Sequence, residues 1–472
     1  MCGFSGELSV KDRVDACALA NMTEALRHRG PDSEGLFIED RIGLGHRRLA
    51  ILGLNAASYQ PMIDPELGLG IVFNGCIYNF RELKQELEGQ GFRFFSEGDT
   101  EVILKAYAAW GADCVKRFYG MFAFAIWERD SGRLILARDR LGIKPLYLAE
   151  TRGNLRFAST LPALLAGGGI SSSIDAEALH YYMSLHALVP PPLTILRDVR
   201  KLPAATVMTF EPDGTRREEI YWSLTVCPRE EDSSIRQEEW CEAVLQTLRT
   251  AVKRRLVSHV PTGVLLSGGL DSSLIVALLA GMGAEVPETF SIGFETVAGV
   301  EGNEFKYSDL IAERFATSHH RLRISASETL EALPKAIAAM SEPMMSHDAV
   351  GFYLLSQKVS EYVKVVQSGQ GADEVFGGYH WYPKLIGSKD PTADYDIPPI
   401  GRLSWWWARV ARRGRFSTHR QALPKWGHPT VAEVATVAVA RRQTKSTICQ
   451  VGPAQDAVRR KTQFLTTVMG VV

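Results

Sequence analysis

Short apolar runs punctuated by glycine fill the first part of the chain: IGLGH, GIVFN, MFAFAIW, RLILARD and LRFAS. Runs of this length, bounded by turn residues, predict strands. Between them, NFRELKQELEGQG and TEVILKAYAAWG repeat apolar residues at intervals of three and four, which predicts two helices. The polar stretch from Val226 to Trp240 breaks this pattern and reads as a linker leading into a helix. Beyond it the order becomes strand, loop, helix: TGVLLS, SSLIVALLAG, ETFSIGF, YSDLIAERFA and VKVVQS. That alternation predicts an α/β domain, a parallel sheet covered by helices, with ligands at the carboxyl ends of its strands.

At 472 residues the chain is too long for one ordinary core, which agrees with two domains. Lys plus Arg (53) nearly balances Asp plus Glu (54), so nothing in the overall charge points to nucleic acid. The seven cysteines are scattered and never form a C-x-x-C pair, which argues against a disulfide framework or a structural zinc. No apolar stretch is long enough to span a bilayer, and the expected location is cytoplasmic, with no membrane partner. Composition shifts at the end. From Gly401 to Val472 there are thirteen Lys or Arg, two acids and four of the nine tryptophans, and the strand–helix rhythm stops.

Candidate chemistry concentrates in two turns of the α/β part. SGGLDSS, Ser267 to Ser273, lies between an apolar strand and a helix, where glycines let backbone N–H groups approach an anion at the helix N-terminus. Ser267, Gly268, Gly269, Ser272 and Ser273 are therefore candidate phosphate contacts of a nucleotide site, with Ser291 of ETFSIGF and Gly369 of the second turn. Asp271 would repel phosphates unless a cation stood between, so Mg2+ is implied. The spacing is not that of a Walker loop. The second turn, SGQGADE, follows VKVVQ and could bring Asp373 to the same metal. Either turn alone could be a helix cap and a bend.

With SGGLDSS and SGQGADE, the second domain resembles the ATP pyrophosphatase synthetases, which form acyl-adenylates and release pyrophosphate. Together with MCG at the start, the chain resembles the asparagine synthetase family of glutamine-dependent amidotransferases over residues 1 to about 385. The resemblance implies a four-layer αββα N-terminal-nucleophile glutaminase domain of α+β class at 1–205. It implies an α/β ATP pyrophosphatase domain, incomplete here, at 241–385; composition gives a linker at 206–240 and a basic, Trp-rich divergent tail at 386–472. It also implies removal of Met1, which would leave Cys2 as nucleophile and bearer of the α-amine that acts as its base. Asn74 and Gly75 match the family's oxyanion hole, Arg48 its clamp on the glutamine α-carboxylate, and Asp99 the acid facing the α-amine. Singly, these could be a turn residue, a surface cation and a helix cap; their joint order with MCG favours the site.

Some positions depart from the family pattern. Cys76 stands where many members have a glutamate that helps hold the glutamine amine, which leaves that task to Asp99. Gln370 stands where some have a glutamate, and an amide cannot act as a general base at neutral pH. NGCIYN, SEPMMSHD and GYHWY most resemble the subgroup that amidates N-acetylglutaminylglutamine, so the expected acceptor is an acetylated dipeptide carboxylate, with aspartate as the alternative. His347, Asp348, His380 and Trp381 could shape its pocket or simply pack and cap. A homodimer is what relatives suggest. The tail lacks the family's later helical motif, which leads to the expectation of a truncated or frameshifted member retaining its glutaminase half.

Overall fold

The computed structural model describes residues 1–151, 153–225, 232, 234–283, 288–296, 302–344, 346 and 348–379. Among these, 1–224 and 241–370 form one compact unit, while 225–240 and the segment after Gln370 belong to a second. The tail from 386 and the residues His347, His380 and Trp381 lie outside the described residues.

The first part contains β1 (Gly3–Leu8), α1 (Ala16–Glu24), β2 (Ser33–Glu39), β3 (Ile42–Arg48), β4 (Met62–Asp64), β5 (Leu69–Ile77), α2 (Phe80–Gly89), α3 (Asp99–Trp110), β6 (Gly120–Glu128), β7 (Leu134–Arg138), β8 (Tyr147–Thr151) and β9 (Asn154–Ala158). It continues with α4 (Leu161–Ala166), α5 (Ala176–Ser184), β10 (Val199–Lys201), β11 (Thr206–Phe210) and β12 (Arg216–Ile220). The strands build two six-stranded antiparallel sheets, β10-β8-β9-β1-β3-β2 and β12-β11-β7-β6-β5-β4. Side-chain alternation along β6 shows how they stack. Phe122, Phe124 and Ile126 join Leu83 and Leu87 of α2 and Val102, Ile103 and Tyr107 of α3 in one core. Ala123, Ala125 and Trp127, on the opposite face, meet Phe4, Leu44 and Phe157 of the other sheet in a second core. A third core packs Leu19, Met22 and Leu26 against Leu161 and Leu164 on the outer face of that sheet. The result is four layers, helix, sheet, sheet, helix. Strands β5, β6 and β7 are buried on both faces, which is why they read as unbroken apolar runs.

The expected domain boundary at 205 needs correction. Strand β11 pairs with β7 from Val207 to Phe210, and β12 pairs with β11 from Arg216 to Ile220, so the second sheet runs into the segment read as linker. Charged RREEI on an exposed edge strand hid it, since β12 buries no face.

The second part contains α6 (Gln237–Arg254), β13 (Thr262–Leu265), α7 (Leu270–Gly281), β14 (Thr289–Phe294), α8 (Phe305–Arg314), β15 (His319–Ile324), α9 (Ala326–Ala339), α10 (Asp348–Val359), β16 (Val365–Gln367) and α11 (Ala372–Phe376). Its sheet is wholly parallel, in the order β15-β14-β13-β16. The order reverses between β13 and β16, whose register pairs Val264 with Gln367. A doubly wound sheet opens its ligand crevice at the carboxyl ends of such a pair. SGGLDSS leaves β13 there and SGQG leaves β16 there.

Candidate active site

Cys2 immediately precedes β1, whose pairing with β3 places Gly3 opposite Arg47. Its thiol lies against the chain just beyond β3: Leu49 N–H donates to Sγ at 3.3 Å, and the thiol reaches Leu49 O at 3.6 Å. Arg29 Nε donates to the Cys2 carbonyl at 3.0 Å. Burial pushes the thiol up, opposed by the Leu49 hydrogen bond, the amino terminus and the Arg48 guanidinium, while the Asp99 charge adds to the rise. A thiol held in this state ionises only with a proton acceptor beside it.

Arg48 ends β3 and is buried, its Nη2 donating to Leu52 O at 3.0 Å and to Gly53 O, with its guanidinium 5.3 Å from the centre of the Tyr59 ring. Asn74 and Gly75 lie in β5 opposite Ala123 and Phe122. Asn74 is 1% exposed, and its Nδ2 is buried without a hydrogen-bond partner among the described residues. An unsatisfied buried amide donor costs stability, as expected of a group held ready for a ligand oxygen. At Gly75 a Cβ would meet Met121 O at 2.2 Å, so only glycine lets the strand pass there. Asp99 opens α3, and its Oδ2 accepts from Ile77 N–H at 2.9 Å, which ties the carboxylate to the end of β5. Burial raises the Asp99 carboxyl to about 6. Cys76, between Gly75 and Ile77, is held well above the usual thiol range by burial and by Asp99.

Two cations at this site, the half-buried Arg29 and the buried Lys144, carry no signal in the sequence. Arg29 belongs to HRGPD and Lys144 to RDRLGIKPLY, turns whose arginine and lysine look like surface charges. Burial lowers both, Lys144 to about 8.

The second part also reaches the first. His259, past the end of α6, accepts from Gly53 N–H at 3.2 Å through Nδ1, and its own N–H donates to Ile51 O at 2.9 Å. Glu342 of SEPMMSHD accepts from Tyr147 OH and from Lys201 Nζ, both at 2.9 Å. Lys364 pairs with Asp32 at 2.7 Å. Arg255 is buried with its guanidinium 5.2 Å from the Tyr78 ring centre.

At the switch point of the parallel sheet, Gly268 adopts φ +85°, and Ser267 Oγ lies 3.1 Å from Ser272 Oγ and accepts from Gly269 N–H at 3.3 Å. Asp271 and Ser272 stand in the first turn of α7, and Ser273 Oγ is buried without a partner among the described residues. A Cβ on Gly369 would come within 2.9 Å of Asp271 Cβ and 3.0 Å of Ser272 N, so SGQG packs directly on SGGLDSS. Ser291 lies beneath them. Its hydroxyl donates to Leu266 O and lies 3.2 Å from His319 Nε2, so that hydroxyl is spent on the strand. Asp373 is in the first turn of α11, in the second unit. No cluster of three or more ligating side chains occurs among the described residues. The Asp271 carboxylate is a hard oxygen donor of the kind that, with phosphate oxygens and water, suits Mg2+ beside a nucleotide. Asp348 N–H donates to Ser346 Oγ at 3.2 Å at the start of α10, a capping arrangement. No described helix is long and apolar enough to cross a membrane.

Comparison with known proteins agrees with this two-part description. Residues 1–222 match the family model of a glutamine amidotransferase domain, and residues 243–469 that of asparagine synthase. Similar proteins include asparagine synthetase (glutamine-hydrolyzing) 1 of Bacillus subtilis, 34% identical, with 82% of this chain and 60% of that one covered. A putative asparagine synthetase (glutamine-hydrolyzing) 2 of Methanocaldococcus jannaschii is 36% identical, with 80% and 76% covered. Asparagine synthetase B (glutamine-hydrolyzing) of Escherichia coli is 31% identical, with 83% and 67% covered. The chain thus spans 60% of the length of the first of these relatives and 76% of the second.

Proposed function

We propose that this chain, which belongs to the asparagine synthetase family, releases ammonia from glutamine at Cys2 and uses it to amidate a carboxylate activated by ATP in its second part. The observation that carries the reading is the buried Asn74 amide, without a partner among the described residues, on the strand that also anchors Asp99.

With Met1 removed, the α-amine of Cys2 takes the thiol proton as Sγ attacks the glutamine carboxamide. The developing oxyanion would be met by Asn74 Nδ2 and the Gly75 N–H. The amine returns the proton to the leaving nitrogen, the C–N bond breaks, and water then cleaves the thioester to glutamate. Arg48 would hold the glutamine α-carboxylate and Asp99 its α-ammonium. In the second part, Ser267, Gly268, Gly269, Ser272, Ser273 and Gly369 would cradle ATP phosphates, with Ser291 supporting the loop from below. Asp271 would hold Mg2+, which when bound neutralises pyrophosphate charge. The acceptor carboxylate attacks the α-phosphate, pyrophosphate leaves, and ammonia displaces AMP from the adenylate. Ammonium is not nucleophilic, so transfer requires a path shielded from water.

For the acceptor, SEPMMSHD and NGCIYN support N-acetylglutaminylglutamine. The names of the relatives support aspartate as the second reading. The test supplies glutamine, ATP and Mg2+ with either acceptor, and follows pyrophosphate release and amide formation by mass spectrometry. Pyrophosphate release that needs neither acceptor, or none at all, overturns the synthetase half.

A further inference from the structure

Lys144 is 2% exposed, in the turn between β7 and β8. Its backbone is fixed on both sides: its N–H donates to Asp139 Oδ2 at 2.9 Å, and its carbonyl accepts from Arg138 Nε at 2.8 Å. The side chain runs inward and its Nζ meets Met1 Sδ at 2.8 Å. A thioether is a weak acceptor for an ammonium. No carboxylate pairs with this nitrogen among the described residues, although buried lysines are ordinarily paired.

The groups around it come from every neighbouring segment. Arg29 follows α1, Cys2 precedes β1, Cys76 lies in β5 and Asp139 follows β7. Cys2 also feels Arg48 at the end of β3 and Asp99 at the start of α3, and the amino terminus feels Asp32. Burial lowers the amino terminus of the unprocessed chain to about 5, and Arg29 and Lys144 push the same way against Cys2 and Asp32.

We propose that Lys144 is a positioning residue of the glutaminase site: its ammonium, which rests on the Met1 thioether before processing, faces the α-amine of Cys2 afterwards and keeps that amine unprotonated while favouring the thiolate. The proposal rests on Cys2 being the nucleophile. A neighbouring buried cation disfavours a second ammonium and favours an adjacent anion, and burial limits screening by salt. Lys144 itself exchanges no proton, because the thiol proton passes to the α-amine and then to the leaving nitrogen. The role differs from substrate binding, since Arg48 and Asp99 supply the charges complementary to glutamine.

The experiment uses the full chain, with loss of Met1 verified by intact mass, and follows iodoacetamide alkylation of Cys2 against pH in the absence of glutamine and ATP. A Cys2→Ser protein supplies the background from the other thiols. Lys144→Met, which keeps the apolar stem and deletes the charge, is expected to move the alkylation midpoint up by roughly one pH unit. It is also expected to lower glutaminase kcat with less than about a twofold change in KM, since only the charge beside the nucleophile is removed. Lys144→Arg is expected to return the midpoint to the parent value. An unmoved midpoint in Lys144→Met, or an equal shift in Lys144→Arg, overturns the proposal. If Lys144→Met does not fold, Lys144→Gln takes its place with the same two outcomes. Because alkylation is read without substrate, a parent that consumes no glutamine would count against the glutaminase reading alone.

Discussion

His259 and Gly53 join the two parts of the chain beside Arg48: the imidazole Nδ1 accepts the Gly53 N–H at 3.2 Å, while the Gly53 carbonyl accepts from Arg48, the proposed clamp on glutamine. The loop that orients Arg48 is thereby held from both sides, by the guanidinium within and by the second part without. His259→Ala should raise KM for glutamine about fivefold, the weight of one hydrogen bond of about 1 kcal/mol, with kcat little changed. Steady-state kinetics at saturating ATP checks it; an unchanged KM would show that the loop needs no outside support.

Cys2→Ala removes the sulfur and should abolish glutamine hydrolysis while leaving amidation from added ammonium salts intact. Comparing the two nitrogen sources in one preparation separates these activities. Loss of both would point to a folding defect and would show as a lowered melting temperature.

Asn74→Ala removes the unpartnered donor. The expected cost is about 2.7–4 kcal/mol of transition-state stabilisation, a fall in kcat of roughly two to three orders of magnitude, with KM nearly unchanged. Because the Nδ2 of Asn74 has no partner to lose among the described residues, the variant should melt no lower than the parent. A fall in kcat smaller than about tenfold would assign the amide a merely structural part.

Asp99 gives a pH signature. Its carboxyl is raised to about 6 by burial, so the carboxylate that would meet the glutamine ammonium is present above that pH and lost below it. Glutamine KM should therefore climb as pH falls below about 6, and Asp99→Asn should bind weakly at every pH without that limb. A carboxyl raised on folding stabilises the fold below its unfolded value of 3.8 and loses that contribution as pH rises through about 6. Asp99→Asn should accordingly melt higher than the parent at pH 8, measured by calorimetry.

Gly369→Ala places a methyl group against Asp271 and the Ser272 N–H, where there is room for none. Separating the two turns should suppress ATP-dependent pyrophosphate release while glutamine hydrolysis continues. Assaying both on the same protein is decisive, and parallel loss of the two would refute a local effect.

The elements visible from pattern alone were those buried on both faces or strongly amphipathic, such as β5, β6, β7, α2, α3, β13 and α7, because burial imposes an apolar residue at each inward position. Strand β1 escaped notice. Its outward-facing Ser5 and Glu7 look like surface residues, yet Glu7 is fully buried against Arg156 at 2.6 Å and Ser5 bonds Thr23 across to α1. Polar partners distant in sequence made those burials tolerable, and no local pattern encodes them.

The candidate site divides along the same line. Residue order and context were enough to single out the two glycine turns, while Cys2, Arg48, Asn74, Gly75 and Asp99 were proposed through the family resemblance that their order with MCG carries. Folding alone decided that Asn74 keeps an unspent donor, that Ser291 spends its hydroxyl on Leu266, and that His259 supports the Arg48 loop. It also decided that Lys144, buried, and Arg29, half-buried, lie beside the amino terminus. Charge type is written in the chain, whereas the water around a charge is removed only by residues that arrive from elsewhere in the sequence, and that loss of solvent is what changes its chemistry.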